Sequence, residues 1–360
     1  MIFDEVKLKD IATIFNGRAY KQNELLENGK YKVLRVGNFF TSDSWYFSNL
    51  ELDENKYCNF GDLLFAWSAN FGPKIWNEGK TIFHYHIWKI ELKENIDKNY
   101  LFYYLKFITD KLKNSTHGSV MMHLTKVDME NQIIKLPDYN NQKKIGEILS
   151  KIDEKIELNN KINDNLLELS QQLFFKYFCN DDKTNFVKEV TLKEFCNIKY
   201  GKGLPTKNIL TEGFPVYGGN GIIGFYNQKM YDESQVLVSC RGAASGKVIF
   251  TKPKCFVTNN SLVLECDRKY YYYLKELSLR NPYYSYTTGS AQPQITIDNI
   301  KDINIKVPSD DVLNEYNSIA EQIEKKYFMN IDQNETLEQL RDTLLPKLMS
   351  GEIDLDKIEI

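Results

Sequence analysis

The stretch IGEILSKIDEKIELNNKINDNLLELSQQL, residues 145–173, decides how the rest of the chain is read. Its positions 145, 148, 152, 159, 162, 166, 169 and 173 step by threes and fours, with one combined seven, and all are Ile or Leu except Asn159. That is the period of a helix with one apolar seam, and it predicts a long heptad helix from about Gln142 to Phe178. Such a helix is roughly 55 Å long and cannot bury its seam alone. Positions 316, 319, 323, 330, 333, 337, 340 and 344 repeat the pattern, so the partner lies in the same chain. Ile148, Ile152, Leu166 and Leu173 match Ile319, Ile323, Leu337 and Leu344 at a constant offset of 171 residues, and Asn159 matches Asn330. The first helix hands the chain to a second globular part and the second helix returns beside the first, which predicts an antiparallel pair. The two asparagines are polar seam insertions that fix register at some cost in stability.

Outward from the helices, the halves repeat as well. Leu8-Lys9-Asp10 recurs as Leu192-Lys193-Glu194, and Gly118-Ser119 recurs as Gly289-Ser290, each glycine followed 19 residues later by a proline, Pro137 and Pro308. Between these markers residue identity is low. Both halves nevertheless start with short β-branched or aromatic runs bounded by Gly, Asn and Pro, which is strand and turn chemistry. In the first half these are Lys32 to Val36, Asp62 to Trp67 and Ile82 to Leu92; in the second they are Gln235 to Ser239, Lys247 to Phe250 and Ser261 to Glu265. A helical piece follows in each, Lys98 to Leu112 and Tyr270 to Leu279, then one strand ending at the proline. The expected fold class is α+β: two β-rich domains joined by two long antiparallel coiled-coil helices, with an internal pseudo-two-fold repeat.

The 360 residues are 42% hydrophobic and 26% charged, which excludes a disordered chain. Six cysteines without a CxxC pair, no cleavable signal and no apolar stretch of membrane-spanning length predict a cytoplasmic protein with reduced thiols. The net charge of −3 conceals a division: residues 8–137 and 192–308 together carry +8, the helical segments and their flanks 138–191 and 309–360 carry −10, and residues 1–7 carry −1. Positive charge therefore sits on the globular bodies, which makes nucleic acid a candidate partner.

Catalytic and cofactor motifs fail on context. Gly219-Asn-Gly221-Ile-Ile-Gly224 satisfies GxGxxG but opens no helix, and reads as a glycine-rich hairpin. Gly242 to Lys247 lacks a required Walker glycine and has Val248 where Ser or Thr would hold magnesium. Asn281-Pro-Tyr-Tyr284 lacks the second proline of an amino-methyltransferase loop, and Asp153 of a loose nuclease pattern falls on the heptad helix. His84 and His86 alternate on the strand expected from Ile82 to Leu92 and have no third ligand, so they read as packing or surface residues rather than a zinc site. The chain reads as catalytically empty, with no metal and no cofactor of its own.

What remains are polar and basic loops interleaved with aromatics. Arg18, Lys21, Trp67, Ser68, Asn70 and Lys74 mark the first half; Lys202, Lys207, Asn220, Arg241, Ser245, Lys247, Asn259, Asn260, Gln292 and Gln294 mark the second. Asn and Gln pair bidentately with adenine, Arg and Lys with guanine, and backbone amides of the 241–247 loop suit a phosphate.

The arrangement resembles the specificity subunits of type I restriction-modification systems over nearly the whole chain. The segments 145–159 running on to 178, and 319–351, look like that family's two helical spacers, and Gly289-Ser-Ala-Gln292-Pro-Gln294-Ile295 looks like the end of its recognition domains. In the first half Val120-Met121-Met122-His123 departs from the glutamine pattern. The resemblance implies target-recognition domains at 1–138 and 186–310, a first spacer helix at 139–185 and a second with its tail at 311–360. It implies a subunit without catalysis of its own that reads double-stranded DNA as a split, asymmetric target and sits in a complex for methylation and phage defence. Two methyltransferase subunits carrying S-adenosylmethionine, and two restriction and translocase subunits using ATP and Mg, are the implied partners. A specificity subunit of another multisubunit restriction system, or a scaffold that recruits partners without reading sequence, shares these features.

Overall fold

Leu8 and Leu192, the first pair of repeat markers, are both wholly inaccessible and open equivalent four-residue helices, Leu8–Ile11 and Leu192–Phe195. The second is closed by a capping box in which the Thr191 amide donates to Glu194 Oε2 at 2.7 Å, satisfying a helix-start donor. The computed structural model describes residues 2–40, 44–68, 71–115, 124–179, 185–289, 292–353 and 355, without the side chains of 111–115. Asn70, Gly118-Ser119, Val120 to His123 and Ser290 lie outside the described residues.

The chain forms two compact units, residues 1–157 with 334–360, and residues 158–333. In the first unit, Ala12–Asn16, Ile87–Leu92, Leu63–Ala66 and Gly72–Ile75 form an antiparallel sheet in that order. A second sheet orders Tyr46–Ser48, Tyr31–Leu34, Thr81–Phe83 and Tyr57–Cys58, with Tyr31–Leu34 and Thr81–Phe83 parallel. The second unit repeats the scheme. Asn197–Tyr200, Ser261–Glu265, Val236–Ser239 and Val248–Phe250 form its antiparallel sheet, while Gly221–Tyr226, Phe214–Gly218 and Phe256–Val257 form the other, its last pair parallel. The glycine-rich segment is the expected hairpin, turning at Gly219-Asn220. The strand expected from Ile82 to Leu92 is instead two strands in different sheets, broken by a turn at His84-Tyr85-His86. Nothing in that triplet punctuates the run, since it holds no Gly, Pro, Asn or Asp.

The long helices are continuous over Tyr139–Phe178 and Asp310–Ser350. Asp138, just after Pro137, starts the first by accepting from the Asn141 amide at 3.1 Å. Buried Gln142 anchors that end, donating to Pro137 O at 2.9 Å and accepting from the Asp97 amide at 2.9 Å. The second helix continues beyond Leu344, the last position of its seam, through the exposed Pro346.

Within the first unit Ile145 and Leu149 are buried with Leu345 and Leu348, and Arg341 pairs with Asp153 at 2.7 Å. Within the second, Leu173 and Phe174 are buried with Leu313, Tyr316 and Ala320. There Asn330 donates to Asn163 Oδ1 at 2.8 Å and Asn159 to Gln333 Oε1 at 2.9 Å. Numbers rise along one helix as they fall along the other, so the pairing is antiparallel, and both predicted asparagines are buried in it. The heptad stripe is only part of the seam. Ile152 and Ile323 are buried and Ile148, Leu166, Leu337 and Leu344 half-buried, but Leu169, Ile319 and Leu340 are exposed. A straight helix of about 3.6 residues per turn drifts about 20° per heptad, which carries those positions off the contact line.

In the second unit a buried charge cluster fixes the helix Tyr271–Arg280 to both long helices. Lys275 Nζ lies 3.0 Å from Glu324 Oε1 and 3.6 Å from Glu276 Oε1, Ser170 donates to Glu276 at 2.6 Å, and Tyr271 donates to Glu324 at 3.0 Å. All six cysteines are free, and burial pushes the Cys196 thiol up to about 12 and the Cys255 thiol up to about 11. No described helix is long and apolar enough to cross a membrane.

Candidate nucleic-acid interface

The second unit gathers most of its predicted polar residues along one rim. The exposed Lys202 is bridged to Thr258, and its carbonyl accepts from the Asn259 amide at 3.2 Å. The Asn260 carbonyl accepts from the Cys240 amide at 2.9 Å, which sets the turn Thr258-Asn259-Asn260 beside the loop that starts at Arg241. Arg241 is bridged to Gln294, and the Gly242 amide donates to Pro293 O at 2.9 Å. Asn220, at the tip of the glycine hairpin, accepts from Lys247 Nζ at 2.6 Å. Lys202, Asn220, Arg241, Asn260, Gln292 and Gln294 are exposed, Lys247 and Asn259 half-buried. Beneath the turn, the Ser239 and Thr258 hydroxyls are buried with no hydrogen-bond partner among the described residues. Buried hydroxyls left so cost about 1–3 kcal/mol each.

Two predicted residues of this half are arranged otherwise. Ser245 is buried and donates to Pro293 O at 2.9 Å, so it latches the 241–247 loop to the 293–294 segment. Lys207 is exposed on the short helix Thr206–Asn208, and no hydrogen bond ties it to the rim among the described residues. An open cavity of about 270 Å³ adjoins the Lys247–Asn220 pair, with Phe250, Lys252, Tyr217 and Tyr327 in its walls.

The first unit places its predicted residues less uniformly. Arg18 is bridged to His84 and holds Glu24 in a two-pronged ion pair at 2.8 and 3.0 Å, which keeps the Glu24 carboxyl below its usual range. Its guanidinium also lies over the Tyr20 ring. Lys21 is exposed at the start of the short helix Gln22–Glu24. Trp67 stacks on Trp88, meets His86 edge-on at 5.0 Å and donates from Nε1 to Tyr85 O at 2.8 Å; Ser68 beside it is half-buried. Lys74 is turned inward, donating to Phe39 O at 2.8 Å, with its pKa lowered by burial. Sequence reading overlooked Arg35, whose guanidinium stacks on Tyr46 at 4.2 Å and whose Nε is buried with no hydrogen-bond partner among the described residues. It also overlooked the 84–86 turn. The signal that finds both is the register of the neighbouring parallel strands.

Among the described residues no group of three or more His, Cys, Asp or Glu side chains could hold a metal ion. The chemistry available at the rims is hydrogen bonding by amides, guanidinium, ammonium, phenol and imidazole, which suits base edges and phosphates.

Comparison with known proteins agrees with that chemistry. The type I restriction modification DNA specificity domain family matches residues 3–168 and again 186–341. The type I restriction enzyme MjaIX specificity subunit of Methanocaldococcus jannaschii is 24% identical over 309 residues, 74% of this chain and 71% of that one. The MjaVIII specificity subunit of the same organism is 32% identical over 158 residues, 40% of this chain and 37% of its own. A solved structure, that of a type I restriction-modification system S subunit from M. genitalium, superposes with a TM-score of 0.62 at 18% identity over 96% of each chain, a likeness of fold.

Proposed function

Because the chain belongs to the family of type I restriction modification DNA specificity domains, and is a DNA-recognition specificity subunit whose catalysis lies in partner subunits, we propose that it reads a bipartite, asymmetric target. Each unit reads one half-site, and the long helices set the gap between them. The observation that carries this reading is the repetition of one sheet scheme with different polar side chains on its rim, since like frames with unlike contents suit unlike half-sites. In the second half-site Asn259, Asn260, Arg241 and Gln294 face base edges, while Lys202 and Lys247 face phosphates. Two methyltransferase subunits, which hold the S-adenosylmethionine, are thereby directed to adenines within the target. Two restriction and translocase subunits, which use ATP and Mg, complete the assembly in the cytoplasm.

The test is co-expression with the chain's methyltransferase subunit and single-molecule mapping of methylated adenines. A split motif of two unlike halves around a fixed gap, absent when this chain is deleted, is the expected result. Methylation unchanged by the deletion refutes the proposal and leaves a scaffold that recruits partners without reading sequence.

A further inference from the structure

Resting on that DNA-reading function, we propose that His84-Tyr85-His86 is the base-reading turn of the first unit, the counterpart of Thr258-Asn259-Asn260 in the second. The sequence hides the equivalence and the hydrogen-bond frame shows it. In the second unit the Thr258 amide donates to Tyr217 O at 2.9 Å, Asn259 to Lys202 O at 3.2 Å and Ser261 to Thr258 O at 3.2 Å. In the first, His84 donates to Leu34 O at 2.9 Å, Tyr85 to Arg18 O at 3.0 Å and Ile87 to His84 O at 2.9 Å. The flanks agree too: Lys202 donates to Val257 O and Cys240 to Asn260 O, as Arg18 does to Phe83 O and Trp67 to His86 O. Gly201 and Gly17 close each frame, because a Cβ there would stand 2.2 Å from Thr258 O or 2.3 Å from His84 O.

One side-chain bond is conserved in role although not in chemistry. Cys240 Sγ lies 3.6 Å from the Asn259 carbonyl, and Trp67 Nε1 donates to the Tyr85 carbonyl, so in both units the residue after the central strand holds the middle of the turn. On this common frame the exposed groups differ. The second unit offers two carboxamides, which suit adenine. The first offers a phenol and two imidazoles, each able to donate and accept. Tyr85 is 40% exposed and His84 and His86 are half-buried, with ring centroids 3.9 Å apart for Tyr85–His86 and 4.8 Å for His84–His86. Rings packed together are already ordered, so engaging a base immobilises few rotamers. Arg18, bridged to His84, stands beside the turn as a cation, and Arg35 lies close enough to lower the His84 pKa by charge repulsion.

The experiment uses the complete complex with its methyltransferase subunits and three versions of this chain: unchanged, Tyr85→Asn with His86→Asn, and Asn260→Ala. Melting temperature checks folding, and a milder Tyr85→Phe variant keeps the ring if the double change does not fold. The expected result is that the Tyr85 variants relax or switch one or two base positions in one half-site, by about tenfold or more in methylation of the original base. Asn260→Ala then relaxes the other half-site, and the gap is unchanged in both. A Tyr85 variant that keeps both half-sites base for base overturns the proposal, as does one that weakens both halves equally. An unchanged complex that methylates no split motif refutes the DNA-reading function itself and is thereby distinguished from failure of the turn assignment alone.

Discussion

His84 is held neutral where a histidine on an open strand would titrate near 6.5: burial first, then the neighbouring His86 and Arg35, lower its pKa to about 4. The sign of the consequence follows from proton counting. Between about pH 6.5 and 4 the unfolded chain binds a proton at this position that the folded chain refuses, so folding stability falls as pH falls through that window. His84→Gln removes the group, and urea unfolding at pH 7, 5.5 and 4.5 is expected to show a shallower loss than in the unsubstituted chain. An equally steep loss would contradict the assignment. At this scale the sequence was partly legible. Asn159 and Asn330 declared themselves because a polar residue interrupts an otherwise apolar seam, and both are buried there. Lys74 and Ser245 did not, because the direction a loop side chain takes depends on contacts with distant residues, here Phe39 and Pro293.

Elements were read best where periodicity was long. Both long helices followed from their seams, and Ser261–Glu265 followed from its apolar core Leu262-Val263-Leu264. The 84–86 turn was missed because its residues are good strand formers, and only pairing with Val33-Leu34 on one side and Leu63–Ala66 on the other separates the two strands. The helix Tyr271–Arg280 shows a second feature that periodicity cannot reveal, a lysine buried between two glutamates. Removing the lysine alone leaves two buried carboxylates uncompensated. Lys275→Met is therefore expected to cost about 3–5 kcal/mol in urea unfolding, whereas replacing Lys275, Glu276 and Glu324 together by apolar residues of similar volume costs far less. A loss under about 1 kcal/mol for Lys275→Met would show the cluster to be solvated.

At the scale of the whole molecule, the repeat was visible in the markers Leu8 and Leu192 and in the two seams, while the equivalence of the sheets was not. Backbone hydrogen bonds preserve a frame with almost no demand on side-chain identity, beyond glycines such as Gly17 and Gly201 where strands approach too closely for a Cβ. Function diverges on that frame by changing rim residues, which is why unlike sequences between the markers accompany like architecture. The central claim is that the two units read independently, and exchange of residues 192–308 for the corresponding segment of another family member tests it most directly. Methylated-adenine mapping of the resulting complex is predicted to show one half-site replaced, with the other half-site and the gap retained. Replacement of both half-sites, or of neither, would contradict the account.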